Sequence, residues 1–263
     1  MEISLKNKTA IVCGSTQGIG KASAIELANN GAEIILIARN EEKLKQTISE
    51  LNTSFNQKHN YIVADFSKPE ELKSKIKIFV NQYQKPIHIL INNTGGPSSG
   101  QITEATEEQF INTFNAHVIC NHILTTALIP KMKEANYGRI INIISTSVKT
   151  PLPNLGVSNT IRGAVASWAK TMANELGKFN ITVNNVLPGA TKTERLNAIV
   201  KNNSVKKNIS IEELEQEMQN EIPMKRFAEA SEVANAVAFL ASPAAGYING
   251  INLPVDGGRT TSL

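Results

Sequence analysis

The chain has 263 residues, 41% of them hydrophobic and 19% charged, with a formal net charge of +4. That is enough chain to bury a substantial core in one large domain. The charge is too mild, the aromatics too few and the Lys/Arg residues too scattered to suit a nucleic-acid partner. Apolar runs reach strand length and stop far short of the roughly 20 residues a bilayer span needs, and no leader pattern opens the chain, so a cytoplasmic protein without a membrane partner is expected. Cys13 and Cys120 stand in no metal or redox spacing; they read as buried, reduced thiols, and no metal site is expected.

In chain order, Thr9–Cys13 reads as a buried strand and 14–20 as a glycine-rich turn. A helix follows with Ile19, Ala22, Ile25, Leu27 and Ala28 on its apolar side, then a second buried strand at Glu33–Ala38. This is a βαβ unit. Glycines at 14, 18 and 20 let the backbone turn tightly and come close to a ligand, and the helix start directs unpaired N–H groups at that gap, where a dinucleotide pyrophosphate fits. A strand-to-helix turn can also need glycine for steric reasons alone. Arg39 ends the second strand where NAD-binding chains place an acid. Arginine favours the 2′-phosphate of NADP, the alternative being a solvated charge at a strand end.

A polar helix over 41–51 leads to a strand at 61–64. Asp65 closes that strand before Pro69 opens the next helix, either accepting from an adenine amino group or serving as a helix-entry carboxylate. A strand over 86–91 ends in NNTGG at 92–96, small residues that let the backbone approach a ribose or close a turn to the next strand. The spacing predicts one helix over 107–134, a strand over 139–144, a loop over 151–156 and a helix with Val157, Ile161, Val165, Trp168, Met172 and Leu176 on one side. A sixth strand over 181–187 is broken by Pro188-Gly189. The polar segment after it, to Glu221, contains a capping-box pattern from Ser210 to Glu213 that opens a short amphipathic helix, and a mobile segment at about 190–225 beside the site would act as a lid. A helix over 230–240 and a strand at Asn252–Val255 complete the series. Such alternation predicts a single α/β domain over 1–263, a doubly wound parallel sheet of about seven strands with helices on both faces. Ligands of such sheets bind at the carboxyl ends of the strands, where 14–20, Asp65, 92–96, Ser145 and 188–193 all fall.

GSTQGIG at 14–20, NNTG at 92–95, GRIINIIS at 138–145, PGATKT at 188–193 and INLPVDGG at 251–258 together resemble the short-chain dehydrogenases/reductases, in particular the 3-oxoacyl-acyl-carrier-protein reductase-like branch, across essentially the whole chain. The resemblance implies a Rossmann-like fold and hydride transfer between a nicotinamide cofactor and a carbonyl or alcohol. It also implies homotetramers or homodimers formed through the two long helices. By the same resemblance Gly14, Ser15, Thr16, Gln17, Gly18, Ile19 and Gly20 hold the pyrophosphate, Arg39 the 2′-phosphate, Asp65 and Phe66 the adenine, Asn93, Thr94 and Gly95 the ribose, and Pro188, Gly189, Thr191 and Thr193 the nicotinamide amide. The family often has a second basic residue where Gln17 stands. A preference for NADP(H), with NAD(H) possible, therefore rests on Arg39.

The catalytic set departs from the family's Asn, Ser, Tyr and Lys. Ser145 aligns, but Ser158 stands in place of the tyrosine, Arg162 in place of the lysine and His117 in place of the asparagine. Ser158 and Arg162 keep the one-turn spacing on a helix face. The chemistry changes, because a phenol with a pKa of about 10 is drawn towards neutrality by an adjacent ammonium, whereas a serine hydroxyl is shorter and a far weaker acid. Arg162 can hydrogen-bond the nicotinamide ribose and polarise an oxyanion but is a poor proton donor. His117, with an ordinary pKa near the working range, either replaces the missing acid, directly or through water with Ser145, or packs beside Phe110 and Phe114. Two functions follow: an NADP(H)-dependent oxidoreductase of a small-molecule substrate with altered proton transfer, or a nucleotide-binding or assembly relative without turnover.

Overall fold

The computed structural model describes residues 2–262. Seven strands, β1 (Thr9–Cys13), β2 (Glu33–Ala38), β3 (Asn60–Val63), β4 (Ile89–Asn92), β5 (Gly138–Ile143), β6 (Ile181–Pro188) and β7 (Asn252–Val255), form one parallel sheet in the order β3-β2-β1-β4-β5-β6-β7. The helices are α1 (Gly18–Asn29), α2 (Glu41–Ser49), α3 (Pro69–Gln82), α4 (Glu107–Phe114), α5 (Cys120–Glu134), α6 (Gly156–Leu176), α7 (Glu194–Lys207), α8 (Ile211–Asn220) and α9 (Ala230–Ala241). None of them is long and apolar enough to cross a membrane.

The strands are apolar on both sides because both faces are covered. In β1, Ala10 and Val12 join a core cluster built with α1 and α9, while Ile11 and Cys13 join the opposite cluster, built with α3, α5 and α6. Strand order reverses at β1, which is flanked by β2 on one side and β4 on the other. In sheets of this kind the loops part at this point, at the carboxyl ends of the strands, and ligands bind in the crevice between them.

Three buried asparagines and a half-buried one run across the sheet at one level. Register aligns Asn92, Asn142, Asn185 and Asn252 on β4 to β7, and their side chains form a hydrogen-bonded file. Asn92 Nδ2 donates to Asn142 Oδ1 (2.9 Å), Asn142 Nδ2 to Asn185 Oδ1 (2.8 Å) and Asn185 Nδ2 to Asn252 Oδ1 (2.8 Å). The file leaves Asn92 Oδ1 buried without a partner at its inner end.

Three segments depart from the sequence reading. The fourth strand begins at Ile89 and not at Pro86, which has no N–H to give a ladder; His88 between them donates its N–H to Thr9 O (2.9 Å), and its ring Nδ1 accepts from Thr9 N (3.0 Å). The helix expected over 107–134 is interrupted by a π-helical turn, Asn115–Ile119, that carries His117. Finally, the polar segment after β6 carries two helices: α8 opens at Ser210 as its capping pattern predicts, and α7, which no pattern marks, forms a hairpin with it around a small core of Leu196, Val200, Leu214, Ile222 and Phe227. Thr193 caps α7 by accepting from Leu196 N (3.3 Å), and Ser210 caps α8 by accepting from Glu213 N (3.0 Å).

His88 gives the lower edge of the sheet an acid sensitivity. Burial, helped by the Lys8 ammonium, pushes its pKa down to about 4. An unfolded histidine titrates near 6.5, so between the two values only the unfolded chain takes up this proton. The stability that His88 contributes is complete above about pH 6.5 and drains away as pH falls towards 4, by roughly 2–3 kcal/mol in all. Chemical denaturation of wild type and His88→Gln at pH 4.5 and 7.5 checks this, the expectation being a smaller pH dependence in the variant.

Candidate active site

The glycine-rich turn packs tightly on itself. Gly14 adopts φ +58° and Gly18 φ +53°, in the left-handed region where other residues are strained. A Cβ on Gly14 would lie 2.8 Å from the Asn93 carbonyl, and one on Gly20 would lie 2.2 Å from the Gly14 carbonyl. Asn93 Nδ2 donates to Cys13 O (3.2 Å) and Gly14 O (3.3 Å), tying the end of β4 to the turn. Ser15 is buried against Ile37 O, Thr16 is half-buried and Gln17 is exposed.

Gln17 precedes α1 without a side-chain cap, and the first turn holds no acid. The earliest in-helix donor is Lys21 N to Gln17 O, so the N–H groups of Gly18, Ile19 and Gly20 have no intrahelical partner. Arg39 is exposed at the end of β2. Asp65 Oδ1 accepts from Ser67 N (2.9 Å), a turn that leads into α3, and this amide holds its carboxyl below the usual range, with a smaller contribution from Arg39. Phe66 is buried in the core beneath the crevice, and its carbonyl accepts from Cys120 Sγ (3.4 Å).

Opposite the turn, β6 ends at Pro188. Gly189 N donates to Val255 O (2.9 Å), and a side chain at 189 would press on Asp256. Thr191 is buried, with Oγ1 donating to Gly189 O (3.1 Å). Thr193 lies over Gly18, its Cγ2 within 3.2 Å of where a Cβ would be, so the start of the helical hairpin touches the glycine turn.

Ser145, at the end of β5, accepts from Ser147 N (3.1 Å), which leaves its hydroxyl proton free to be given to something else. Arg162 Nη1 donates to Ile143 O (2.8 Å), which seats the guanidinium at the end of the same strand. Ser158, one turn earlier on α6, is half-buried and makes no side-chain hydrogen bond. No phenol takes the missing place. Tyr61 and Tyr83 donate to Glu41 and Glu33, Tyr137 to Ala241 O, and Tyr247 is fully exposed ahead of β7.

His117 is buried, and its Nε2 lies 3.2 Å from Gly95 O. A carbonyl only accepts, so Nε2 carries the hydrogen and Nδ1 presents a lone pair. The expectation of a pKa near the working range does not hold for this ring: burial, and then the Arg162 and Arg195 guanidiniums, hold it well below the ordinary value. Arg195 is a residue that sequence reading passed over. It sits in the first turn of α7 and reaches back across the crevice to donate to Gly96 O (3.3 Å) and Pro97 O. Its only sequence signal is a basic residue two places after PGATKT. Thus Arg162, His117 and Arg195 gather around 95–97, while Arg39 and Asp65 lie at the other end of the crevice.

The family model described as enoyl-(acyl carrier protein) reductase matches residues 14–260. The chain belongs to the short-chain dehydrogenase/reductase family. Within that family it is 36% identical to L-xylulose reductase of Caenorhabditis elegans, over 96% of this chain and 95% of that one. It is 31% identical to the 3-oxoacyl-[acyl-carrier-protein] reductase FabG of Staphylococcus epidermidis, over 96% and 98%. Among solved short-chain reductases, L-sorbose reductase from Gluconobacter frateurii, in complex with NADPH and L-sorbose, superposes with a TM-score of 0.93 at 31% identity over the full length of both chains.

Proposed function

We propose that this family member is an NADP(H)-dependent oxidoreductase that moves hydride between the nicotinamide and a carbonyl or alcohol carbon of a small molecule, 3-oxoacyl-like compounds included. The reading rests on the glycine turn with three unpaired first-turn amides at α1, a cradle for an anionic pyrophosphate. Gly95 supports it, since a Cβ there meets nothing within 4 Å and backbone lies open to a ribose. NADPH in the complex of L-sorbose reductase points the same way. When bound, the dinucleotide supplies or takes the hydride.

The chain's own residues would do the rest. Arg39 would pair with the 2′-phosphate, and NAD(H), lacking that group, would bind more weakly. Ser145 and Arg162 would stabilise the developing oxyanion. A neutral His117 would hold a water through Nδ1, and that water together with Ser145 would carry the proton to or from the substrate oxygen. The helical hairpin over the crevice would serve as its lid, and exposed Ile111 and Phe114 on α4 would contribute to a homodimer or homotetramer surface.

Nicotinamide fluorescence titration followed by NADPH oxidation with β-ketoacyl, quinone and diketone substrates tests the reading. Arg39→Glu is expected to weaken NADPH binding at least tenfold and to change NADH binding far less; equal losses for both would remove Arg39 from the 2′-phosphate. A second reading, a nucleotide-binding or assembly relative without turnover, is favoured by the lack of any tyrosine hydroxyl beside Ser145. NADPH binding without oxidation across the panel would select it.

A further inference from the structure

Arg162 is 8% exposed, yet neither it nor Arg195 takes part in an ion pair among the described residues. For Arg162 this is unusual, because it is buried, and Arg195, exposed at the start of α7, reaches to the same place. A side chain at position 96 would place its Cβ 3.4 Å from Arg195 Nη2 and 3.7 Å from Arg162 Nη2, so both guanidiniums border the same small space above Gly96. Burying a cation without a counter-charge is costly, and placing a second one beside it raises the cost. Arg162 shows both effects: burial first and the Arg195 charge second bring its pKa down to about 10. The third group at this point, His117, has its pKa held well below the ordinary value by burial first and then by the same two charges. No carboxylate contributes to the electrostatics of Arg162, Arg195 or His117.

Backbone carbonyls satisfy only part of this donor set. Arg162 gives one hydrogen bond, to Ile143 O, and Arg195 gives two, to Gly96 O and Pro97 O, out of five N–H donors on each guanidinium. A planar carboxylate is the group that matches the remaining edges of two guanidiniums and neutralises them together. The space lies at the end of β5, where Arg162 meets Ile143 O, and it borders the glycine turn through Thr193, which lies over Gly18, so the cofactor phosphates are the competing anion that the test must separate.

We propose that Arg162 and Arg195 form a binding site for the carboxylate of the substrate, which makes this protein selective for small carbonyl compounds that carry a carboxylate near the reacting carbon. The assignment deepens the oxidoreductase reading and rests on it for the words "reacting carbon"; the anion site itself is tested separately. Because Arg195 belongs to α7, carboxylate binding also fastens the helical hairpin to the 95–97 loop.

Calorimetric titration with pyruvate and acetoacetate, each against its methyl ester, is carried out on the protein with and without saturating NADPH. At least one carboxylate is expected to bind tenfold or more tightly than its ester. Arg195→Gln is expected to remove the difference, Arg195→Lys to restore part of it, and the affinity for NADPH to stay within twofold in both variants. Carboxylate and ester binding equally, or neither binding, would overturn the proposal. So would a tenfold loss of NADPH affinity in Arg195→Gln, which would assign the guanidiniums to the cofactor phosphates. If the wild type fails to bind NADPH but still separates carboxylate from ester, the cofactor reading falls and the anion site stands.

Discussion

Ser158→Tyr combined with Arg162→Lys is expected to raise NADPH-dependent reduction of a neutral diketone by about 10²–10⁴-fold, the usual contribution of a positioned general acid. The two positions are one turn apart on α6, and Ser158 has no side-chain hydrogen bond that a larger residue would break. Lysine at 162 would bring an ammonium to the end of β5, where Arg162 now meets Ile143 O. An adjacent ammonium lowers a phenol's pKa from about 10, putting a donor within reach of neutral pH. Neither single substitution should give the full gain, because the phenol needs the ammonium and the ammonium has no proton path of its own. Initial rates of NADPH oxidation for wild type, both single variants and the double variant decide it. A double variant that binds NADPH normally and gains nothing would show that the crevice differs from its relatives in more than this pair. Selectivity should move in the opposite direction, since the double variant gives up one of the two guanidiniums.

Asn142→Leu is expected to cost about 3–5 kcal/mol, because a near-isosteric apolar residue leaves a buried donor on Asn92 and a buried acceptor on Asn185 unpaired. In a chain of this size that corresponds to a fall in Tm of roughly 10 °C. Asn92 would suffer most, as its Oδ1 already lacks a partner and the substitution would strip its side chain of hydrogen bonds altogether. Asn252→Leu makes the contrast. It ends the file on a half-buried edge strand, where water can satisfy what is lost, so a cost of about 1 kcal/mol is expected. Thermal and denaturant unfolding of the two variants should separate them clearly, and equal costs would mean that the file contributes no more than its separate bonds.

The sheet was legible in the sequence because each strand is a short apolar run closed by a polar or turn-forming residue, and the glycine turn because its residues are adjacent in the chain. The asparagine file was not. Its members lie on four separate strands and meet only once the register is set. Arg195 escaped for a related reason: nothing in a polar stretch marks one arginine out until α7 and α8 close on their own small core and aim it at Gly96. The motif spacing marks His117, but its lowered pKa comes from burial and then from two arginines, one 45 and one 78 residues later in the chain, that sequence spacing does not place beside it. The π-helical turn left no trace either, since α and π turns are made from the same kinds of residue.

That turn has a geometric consequence. A π-helical turn holds one residue more than an α-turn, and each residue of an α-helix advances the azimuth by about 100°. The surplus residue therefore acts as a phase shifter between α4, which packs on α6, and α5, which lies on the sheet through Cys120, Leu124, Leu128 and Met132. Losing a single residue between 115 and 119 would leave α5 seated and swing α4 by about a quarter of a revolution, carrying the imidazole away from Gly95 and unseating one wall of the crevice.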